Sequence, residues 1–113
     1  MIKINFANSN SWVLDTGCGS HICANVQGLK KSRDLHKDEV DLRVGNGAKV
    51  AALAVGSYCL SLPSGVLLNL NNCYYVSSIN RDLISNLMLD SEGITFVIKN
   101  GTFQFTKMIF VMV

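Results

Sequence analysis

Short apolar stretches, separated by glycine, asparagine or proline, run along most of this chain. Stretches of roughly four to eight residues between turn-forming residues are typical of β-strands. We predict strands over residues 1–6, 12–14, 40–44, 49–55, 57–62, 66–70 and 73–76, and a closing hairpin over 94–98 and 102–105. Short strands at such intervals indicate an all-β domain, a small barrel or sandwich.

One segment has the periodicity of a helix instead. Residues 79–89 carry four apolar side chains at the spacing of one helical face, and Gly93 is suited to end a helix there. The four are Leu83, Ile84, Leu87 and Met88. The sequence therefore predicts one short helix near the C-terminus.

Turn-forming residues mark the boundaries between the predicted strands. Gly45-Asn46-Gly47 separates two strand patterns, and Asn-Gly is a strong hairpin signal because both positions tolerate positive φ. Asn71-Asn72 is expected to break the run between two further strands. Residues 27–39 hold few apolar side chains, so we expect a surface loop with one helical turn. A dinucleotide-binding interpretation of the glycines fails, because no helix follows them.

The most unusual stretch is Trp12-Val13-Leu14-Asp15-Thr16-Gly17-Cys18-Gly19-Ser20-His21. Three apolar residues lead directly into a carboxylic acid, and Gly17, two places later, permits a sharp turn. A strand that leaves the core, presents one carboxyl group and turns at once is suited to catalysis. The alternative interpretation of Asp15 is a turn aspartate that caps nearby backbone amides.

Composition narrows the classes of function. The chain has 113 residues, of which 49% are hydrophobic and 16% charged, with a formal net charge of +2. These values predict one folded domain over residues 1–113 and argue against disorder and against binding of nucleic acid or an anionic membrane. No apolar run has the length of a membrane span, and no secretory signal is visible. We therefore expect an intracellular, cytoplasmic protein.

The cysteines are interpreted as free thiols. Cys18, His21 and Cys23 stand close together, but their spacing matches none of the usual zinc clusters. Without a secretory context, the four cysteines imply no disulfide framework. We expect buried or half-buried thiols, a packed or surface His21, no metal and no cofactor.

Four motifs occur in a characteristic order. Residues 12–21 are followed by Gly45-Asn46-Gly47, by Tyr75-Val76 and by Leu83-Ile84-Ser85. In this order the chain resembles the β-barrel protease domain of Gag-Pol polyproteins from copia-type retrotransposons, which is similar to a retropepsin protomer. The resemblance covers residues 11–105. Ser77 stands where that family usually has proline, and residues 106–113 form a tail unlike the family.

The resemblance implies a small closed β-barrel of short antiparallel strands, equivalent to half of an acid protease. It also implies an aspartic endopeptidase that cleaves the retrotransposon's own polyprotein, in the cytoplasm and in virus-like particles. Asp15 would be the catalytic residue. Because one chain has one such motif, the two carboxylates of the site would come from a homodimer.

The resemblance also assigns supporting roles. Thr16 would hydrogen-bond across the dimer axis, and Gly17 would shape the catalytic loop. Gly45, Asn46 and Gly47 would form the flap over an extended peptide substrate. Leu83, Ile84 and Ser85 would pack beneath the catalytic loop, with Ser85 replacing the glycine of retropepsins.

Two other functions stay open. A degenerate barrel of the same ancestry would act as a spacer or interaction module, keeping the strands and the helix without dimerising. A small peptide-binding β-domain unrelated to proteolysis would also fit the strand pattern. An Asp15 that faces bulk solvent in a stable monomer would count against an enzyme.

Overall fold

The computed structural model describes residues 2–5, 11–15, 17–44, 47–61, 67–99 and 102–107, with side chains described for 12–15, 17–44, 47–61 and 67–93. Predictions for Thr16, for Gly45 and Asn46, and for the tail beyond residue 107 lie outside these ranges.

Strands dominate the described chain, with one short α-helix near its C-terminal end, as predicted. The strands are β1 (Ile2–Asn5), β2 (Ser11–Asp15), β3 (Ile22–Cys23), β4 (Lys30–Asp34), β5 (Asp41–Arg43), β6 (Lys49–Ala51), β7 (Ala54–Ser61), β8 (Leu67–Tyr75), β9 (Asp82–Ser85), β10 (Ile94–Lys99) and β11 (Thr102–Lys107). A 3-10 helix spans Val26–Gly28, and helix α1 spans Asn86–Ser91.

Seven strands form one sheet in the order β1-β2-β9-β3-β8-β7-β4, and β5–β6 and β10–β11 form two separate hairpins. β9 lies between β2 and β3, parallel to β2 and antiparallel to β3. β3 also pairs with β8 in parallel. The expectation of antiparallel strands is therefore wrong for these two pairs. Parallel neighbours need a long connection, and here most of the domain lies between them in sequence.

The sheet has two ends, β1 and β4, and within the described ranges no pairing joins them. The coarse prediction of an all-β domain holds, whereas closure into a barrel is not seen in this part of the chain. The exposed strand β4 forms one of the two ends.

Both faces of the central strands are buried. On one face, Trp12, Leu14 and Ile84 pack in a first cluster with Tyr58 and other core side chains. On the opposite face, Val13, Ile22 and Leu83 pack in a second cluster with Cys18, Ala52 and Val76. Strands covered on both faces are rich in consecutive apolar residues, which explains the runs in β2 and β9.

The two long strands β7 and β8 supply much of the first cluster. Tyr58 pairs with Leu70 and Leu60 with Leu68 across the two strands, and all four side chains are buried. Cross-strand apolar pairs of this kind stabilise an antiparallel ladder.

The helix prediction for residues 79–89 is wrong at its centre. Leu83 and Ile84 belong to β9, and α1 begins only at Asn86. Helical spacing placed both side chains on one face, but insertion between β2 and β3 buries them on opposite faces of a strand. Gly93 does end the helix, with a φ of 73° and its N–H donating to the Asp90 carbonyl at 3.0 Å.

Three further boundaries differ from the prediction. Residues 30–34 of the expected surface loop form strand β4, although every one of them is exposed as a loop residue would be. Gly56 and Asn71-Asn72 do not break their strands, because β7 and β8 absorb them in an irregular pairing between Gly56 and Tyr58. Asn72 adopts a φ of 54°, a conformation that asparagine tolerates better than most residues.

The chain from 40 to 51 forms the predicted hairpin, with β5 and β6 paired from Asp41↔Ala51 to Arg43↔Lys49. Leu42, Val44 and Val50 pack against the second cluster. Among the described residues no helix is both long and apolar enough to cross a lipid bilayer.

Candidate active site

Asp15 ends strand β2 and is almost entirely shielded from water, with 7% of its surface exposed. Its direct partner on the parallel neighbour is Ser85, the last residue of β9. The N–H of Gly17 donates to Asp15 Oδ1 at 2.8 Å. The carboxylate therefore caps the turn that follows it, and this bond fixes its orientation.

The turn after Asp15 crosses the C-terminal end of β9, because it connects two strands that lie on either side of β9. Ser85 joins this turn to the end of the strand. Its Oγ donates to the Cys18 carbonyl at 2.6 Å and accepts from Met88 N–H at 3.2 Å, which makes Ser85 the N-cap of α1. The Ser85 side chain is fully buried.

His21 makes the second connection between the turn and β9. Its Nδ1 accepts the backbone N–H of Ser85 at 3.0 Å, so the proton of the neutral ring is on Nε2. His21 is fully buried, and burial lowers its pKa from 6.5 to about 4. Within the described chain Nε2 has no hydrogen-bond partner. His21 is a packed residue, one of the two roles expected of it.

The serine, histidine and cysteine beside Asp15 do not form a nucleophile and base. Ser85 Oγ donates a hydrogen bond to the Cys18 carbonyl, and His21 bonds the backbone N–H of Ser85 rather than its hydroxyl. The Cys18 thiol donates to the Ser20 carbonyl at 3.0 Å, and burial raises its pKa. A thiol in this state is a poor nucleophile. Among the described side chains of this turn, Asp15 is the remaining candidate for a reactive group.

Leu83 and Ile84 of β9 are the direct partners of Val13 and Leu14 on β2. Leu83 contributes to the second cluster together with Cys18 of the turn, and Ile84 contributes to the first cluster with Trp12. The indole of Trp12 meets the ring of Tyr58 edge to face, at 4.9 Å between centroids and 67° between planes. These contacts pack the end of β2 on both faces of the sheet.

The β5–β6 hairpin stands on the same side of the sheet as the Cys18 side chain. Its apolar residues Leu42, Val44 and Val50 share the second cluster with Cys18 and Ile22. Gly47 has a φ of 81°, and its N–H donates to the Val44 carbonyl at 2.7 Å. Gly47 thus has the turn geometry that the sequence predicts, while Gly45 and Asn46 lie outside the described residues.

The remaining cysteines are free, and three of the four thiols are buried. Cys23 and Cys73 contact each other in the first cluster, where their hydrogen bond, together with burial, raises the pKa of the Cys73 thiol. Across the part of the chain that the structure describes, no three His, Cys, Asp or Glu side chains converge as metal ligands would.

Sequence reasoning missed Asp82, at the opposite end of β9. Its Oδ1 accepts the Ala24 N–H at 2.8 Å, and burial raises its pKa although this bond opposes the shift. The sequence signal for Asp82 is its position directly before the apolar pair Leu83 and Ile84. Asp82 fixes the exit of β3, so it supports the site without being part of it.

A groove of about 330 Å³ opens elsewhere on the surface. It is lined by Lys31 and Arg33 of β4, Val55, Gly56 and Ser57 of β7, and Asn71 and Asn72 of β8. None of these residues belongs to the turn that carries Asp15, so this groove is not a substrate cleft for that carboxylate.

Comparisons with known proteins identify a family for this chain. The family model described as "Pol polyprotein, beta-barrel domain" matches residues 12–94. The chain is also 32% identical over 98 residues to the retrovirus-related Pol polyprotein from transposon RE1 of Arabidopsis thaliana. That match covers 86% of this chain and 6% of the polyprotein, so the chain corresponds to a small part of its relative. No solved structure matches it. The matched residues include Asp15, Ser85 and all strands from β3 to β9, and this chain therefore belongs to the family of Pol polyprotein β-barrel domains.

Proposed function

We propose that this domain is one half of a homodimeric aspartic endopeptidase and that Asp15 is its catalytic residue. The observation that carries the proposal is the position of Asp15: a carboxylate at the end of a core strand, 7% exposed, in a turn tied to β9. An ordinary surface turn does not need hydrogen bonds to a core strand of this kind. The proposed substrate is extended polypeptide of the retrotransposon's own polyprotein.

The chemistry needs a second carboxylate. Two carboxyl groups a few ångströms apart share a proton, because both cannot ionise easily. The ionised member removes a proton from a water molecule as it attacks the scissile carbonyl, while the protonated member donates to the carbonyl oxygen. A twofold axis beside Asp15 would supply both members from equivalent residues. Thr16 is proposed to hydrogen-bond across that axis, and Gly17 holds the carboxylate orientation in each chain.

The β5–β6 hairpin is the proposed flap. Its apolar residues Leu42, Val44 and Val50 pack against the cluster that contains Cys18. Gly45, Asn46 and Gly47 are proposed to form the tip that covers the substrate. Closure over an extended peptide would exclude water from the reacting carbonyl. We also propose that the sheet closes into a barrel, because the matched family is described as a β-barrel domain. It places the domain in the cytoplasm and in virus-like particles.

Peptide cleavage tests this function directly. A library of extended peptides is incubated with the chain at mildly acidic pH, with and without a pepstatin-type inhibitor. Asp15→Asn keeps an oxygen that accepts the Gly17 N–H, so the variant should fold but lose cleavage. Asp34→Asn, the same change on the exposed strand β4, should cleave like the native chain. Cleavage that survives Asp15→Asn would refute the mechanism.

A non-catalytic β-barrel module is the second candidate. One observation favours it: hydrogen bonds within a single chain already engage the Cys18 carbonyl, the Ser85 N–H and Oδ1 of Asp15. Such a turn needs no second chain for its stability. Sedimentation equilibrium separates the two candidates, since a stable monomer without cleavage supports the module and a dimer that cleaves supports the enzyme.

A further inference from the structure

We propose that the neutral imidazole of His21 is a positioning group that locks the Asp15 turn onto β9, and that protonation of this ring in acid releases the turn. The inference concerns the folded turn itself. Only its extension to catalysis rests on the proposed function: protonation of His21 would then set the lower pH limit of peptide cleavage.

The geometry gives His21 this role. The Asp15 turn is joined to Ser85 by two bonds: Ser85 Oγ to the Cys18 carbonyl at 2.6 Å, and Ser85 N–H to His21 Nδ1 at 3.0 Å. The second bond needs a free electron pair on Nδ1. A protonated imidazole has an N–H on both nitrogens and would place two donors against each other. Protonation therefore converts this attachment into a repulsive contact.

Burial makes the neutral state the stable one. His21 is fully buried, and the only physical cause of its lowered pKa, to about 4, is the loss of solvation of the charged ring. Nε2 finds no hydrogen-bond acceptor in the described chain, so a second proton on the ring would gain no partner. Among the residues that the structure describes, no carboxylate stabilises a charge on this ring, and Oδ1 of Asp15 is bonded to Gly17.

Other titratable groups lie on the elements around His21. On the elements packed against it these are Asp15 and Cys18 on the turn, Asp82 on β9, and Cys73, Tyr74 and Tyr75 on β8. Asp82 has a raised pKa, so its ionisation lowers stability as the pH rises above 3.8. Its effect has the opposite sign to that of His21 and cannot imitate it.

The direction of the pH effect follows from linkage. The folded ring binds its proton with a pKa of about 4 and the unfolded ring with one of 6.5. Between these values the unfolded state binds more protons, so stability is complete above pH 6.5 and falls as the pH drops toward 4. Full protonation lowers the folding equilibrium constant by up to about 300-fold through this one group.

Nitrogen NMR of the 113-residue chain tests the tautomer and the titration without any assay of activity. We expect an unprotonated Nδ1 and a protonated Nε2 at pH 7, and a ring that stays neutral down to a pH of about 4. His36, the other histidine of the sequence, is exposed and provides the reference in the same spectrum. A His21 ring with its proton on Nδ1, or one that titrates at 6.5, would overturn the inference.

Variants at His21 then test whether its bond to Ser85 holds the turn on β9. His21→Asn keeps an acceptor near the position of Nδ1 but does not titrate, so its urea midpoint should change less than the native midpoint between pH 6.5 and 4. His21→Leu has no acceptor and should be destabilised at every pH. His36→Asn, the matched control, should follow the native pH profile. An unchanged pH profile in His21→Asn would contradict the proposal, and loss of the profile without loss of peptide cleavage at pH 7 would leave the proposed function intact.

Discussion

Asp15 and Ser85 are direct neighbours at the ends of the parallel strands β2 and β9. One residue carries the candidate catalytic carboxylate, and the other fastens the turn that follows it. The hydroxyl of Ser85 bonds both the turn and the first turn of α1. The serine therefore links the candidate site to the helix.

Replacing Ser85 by alanine should destabilise the domain by about 1–3 kcal/mol, because the buried Cys18 carbonyl and the Met88 N–H both lose a partner. Urea unfolding at pH 7 measures this. Ser91→Ala is the matched control, since Ser91 is exposed and its hydroxyl donates to the Met88 carbonyl at the other end of the same helix. Equal effects of the two substitutions would show that Ser85 has no special role.

Gly56→Ala should lower the free energy of unfolding by about 1–3 kcal/mol. A Cβ at this position would lie 2.7 Å from the Lys30 carbonyl oxygen and 3.0 Å from Ser32 Cα, so the backbone of β4 would have to move. Gly19→Ala makes the same change in the Asp15 turn, where nothing lies within 4 Å of the added atom. Thermal unfolding of both variants checks the prediction, which fails if Gly19→Ala is the more damaging of the two.

Asp82→Asn should be at least as stable as the native chain at pH 7. Burial disfavours the ionised carboxylate, and the amide oxygen of asparagine still accepts the Ala24 N–H. Because Asp82 has a raised pKa in the fold, the advantage of asparagine should shrink in acid, where the aspartate is protonated. Urea midpoints measured over about pH 3 to 8 test the trend. Asp90→Asn, at an exposed position of α1, is the control. A native chain more stable than Asp82→Asn at pH 7 would contradict it.

Thiol labelling should distinguish Cys59 from the other cysteines. Cys18, Cys23 and Cys73 are buried, whereas Cys59 is partly exposed on β7. Iodoacetamide should therefore modify Cys59 first in the folded chain and the other three only after unfolding. Mass spectrometry of digested protein locates the label, and Cys59→Ser should remove the rapid reaction. Rapid labelling of Cys18 in the folded state would show that the Asp15 turn opens more readily than its hydrogen bonds suggest.

Local patterns predicted those parts of the fold that local forces decide. The apolar run before Asp15, the β5–β6 hairpin and the stop at Gly93 are each specified by residues within a few positions of one another. Strand β4 was missed because its side chains are all exposed, so no apolar alternation marks it. Its hydrogen bonds to β7 are a long-range feature.

The position of β9 could not be read from periodicity. Leu83 and Ile84 fit a helical face as well as a strand, and only insertion between β2 and β3 decides between them. The helical pattern therefore suggested the wrong structure for these two residues. The roles of His21 and Ser85 also escaped the sequence, since their bond joins residues 64 positions apart.

The insertion of β9 has a consequence for the order in which the domain matures during translation. The ribosome makes β2 and β3 early, but the strand that separates them comes after residue 81. In a nascent chain that lacks β9, the edges of β2 and β3 that pair with β9 have no neighbour. Non-local pairing of this kind slows folding. The Asp15 turn therefore gains its hydrogen bonds to Ser85 only after β9 has emerged, and a nascent chain that ends before β9 lacks them.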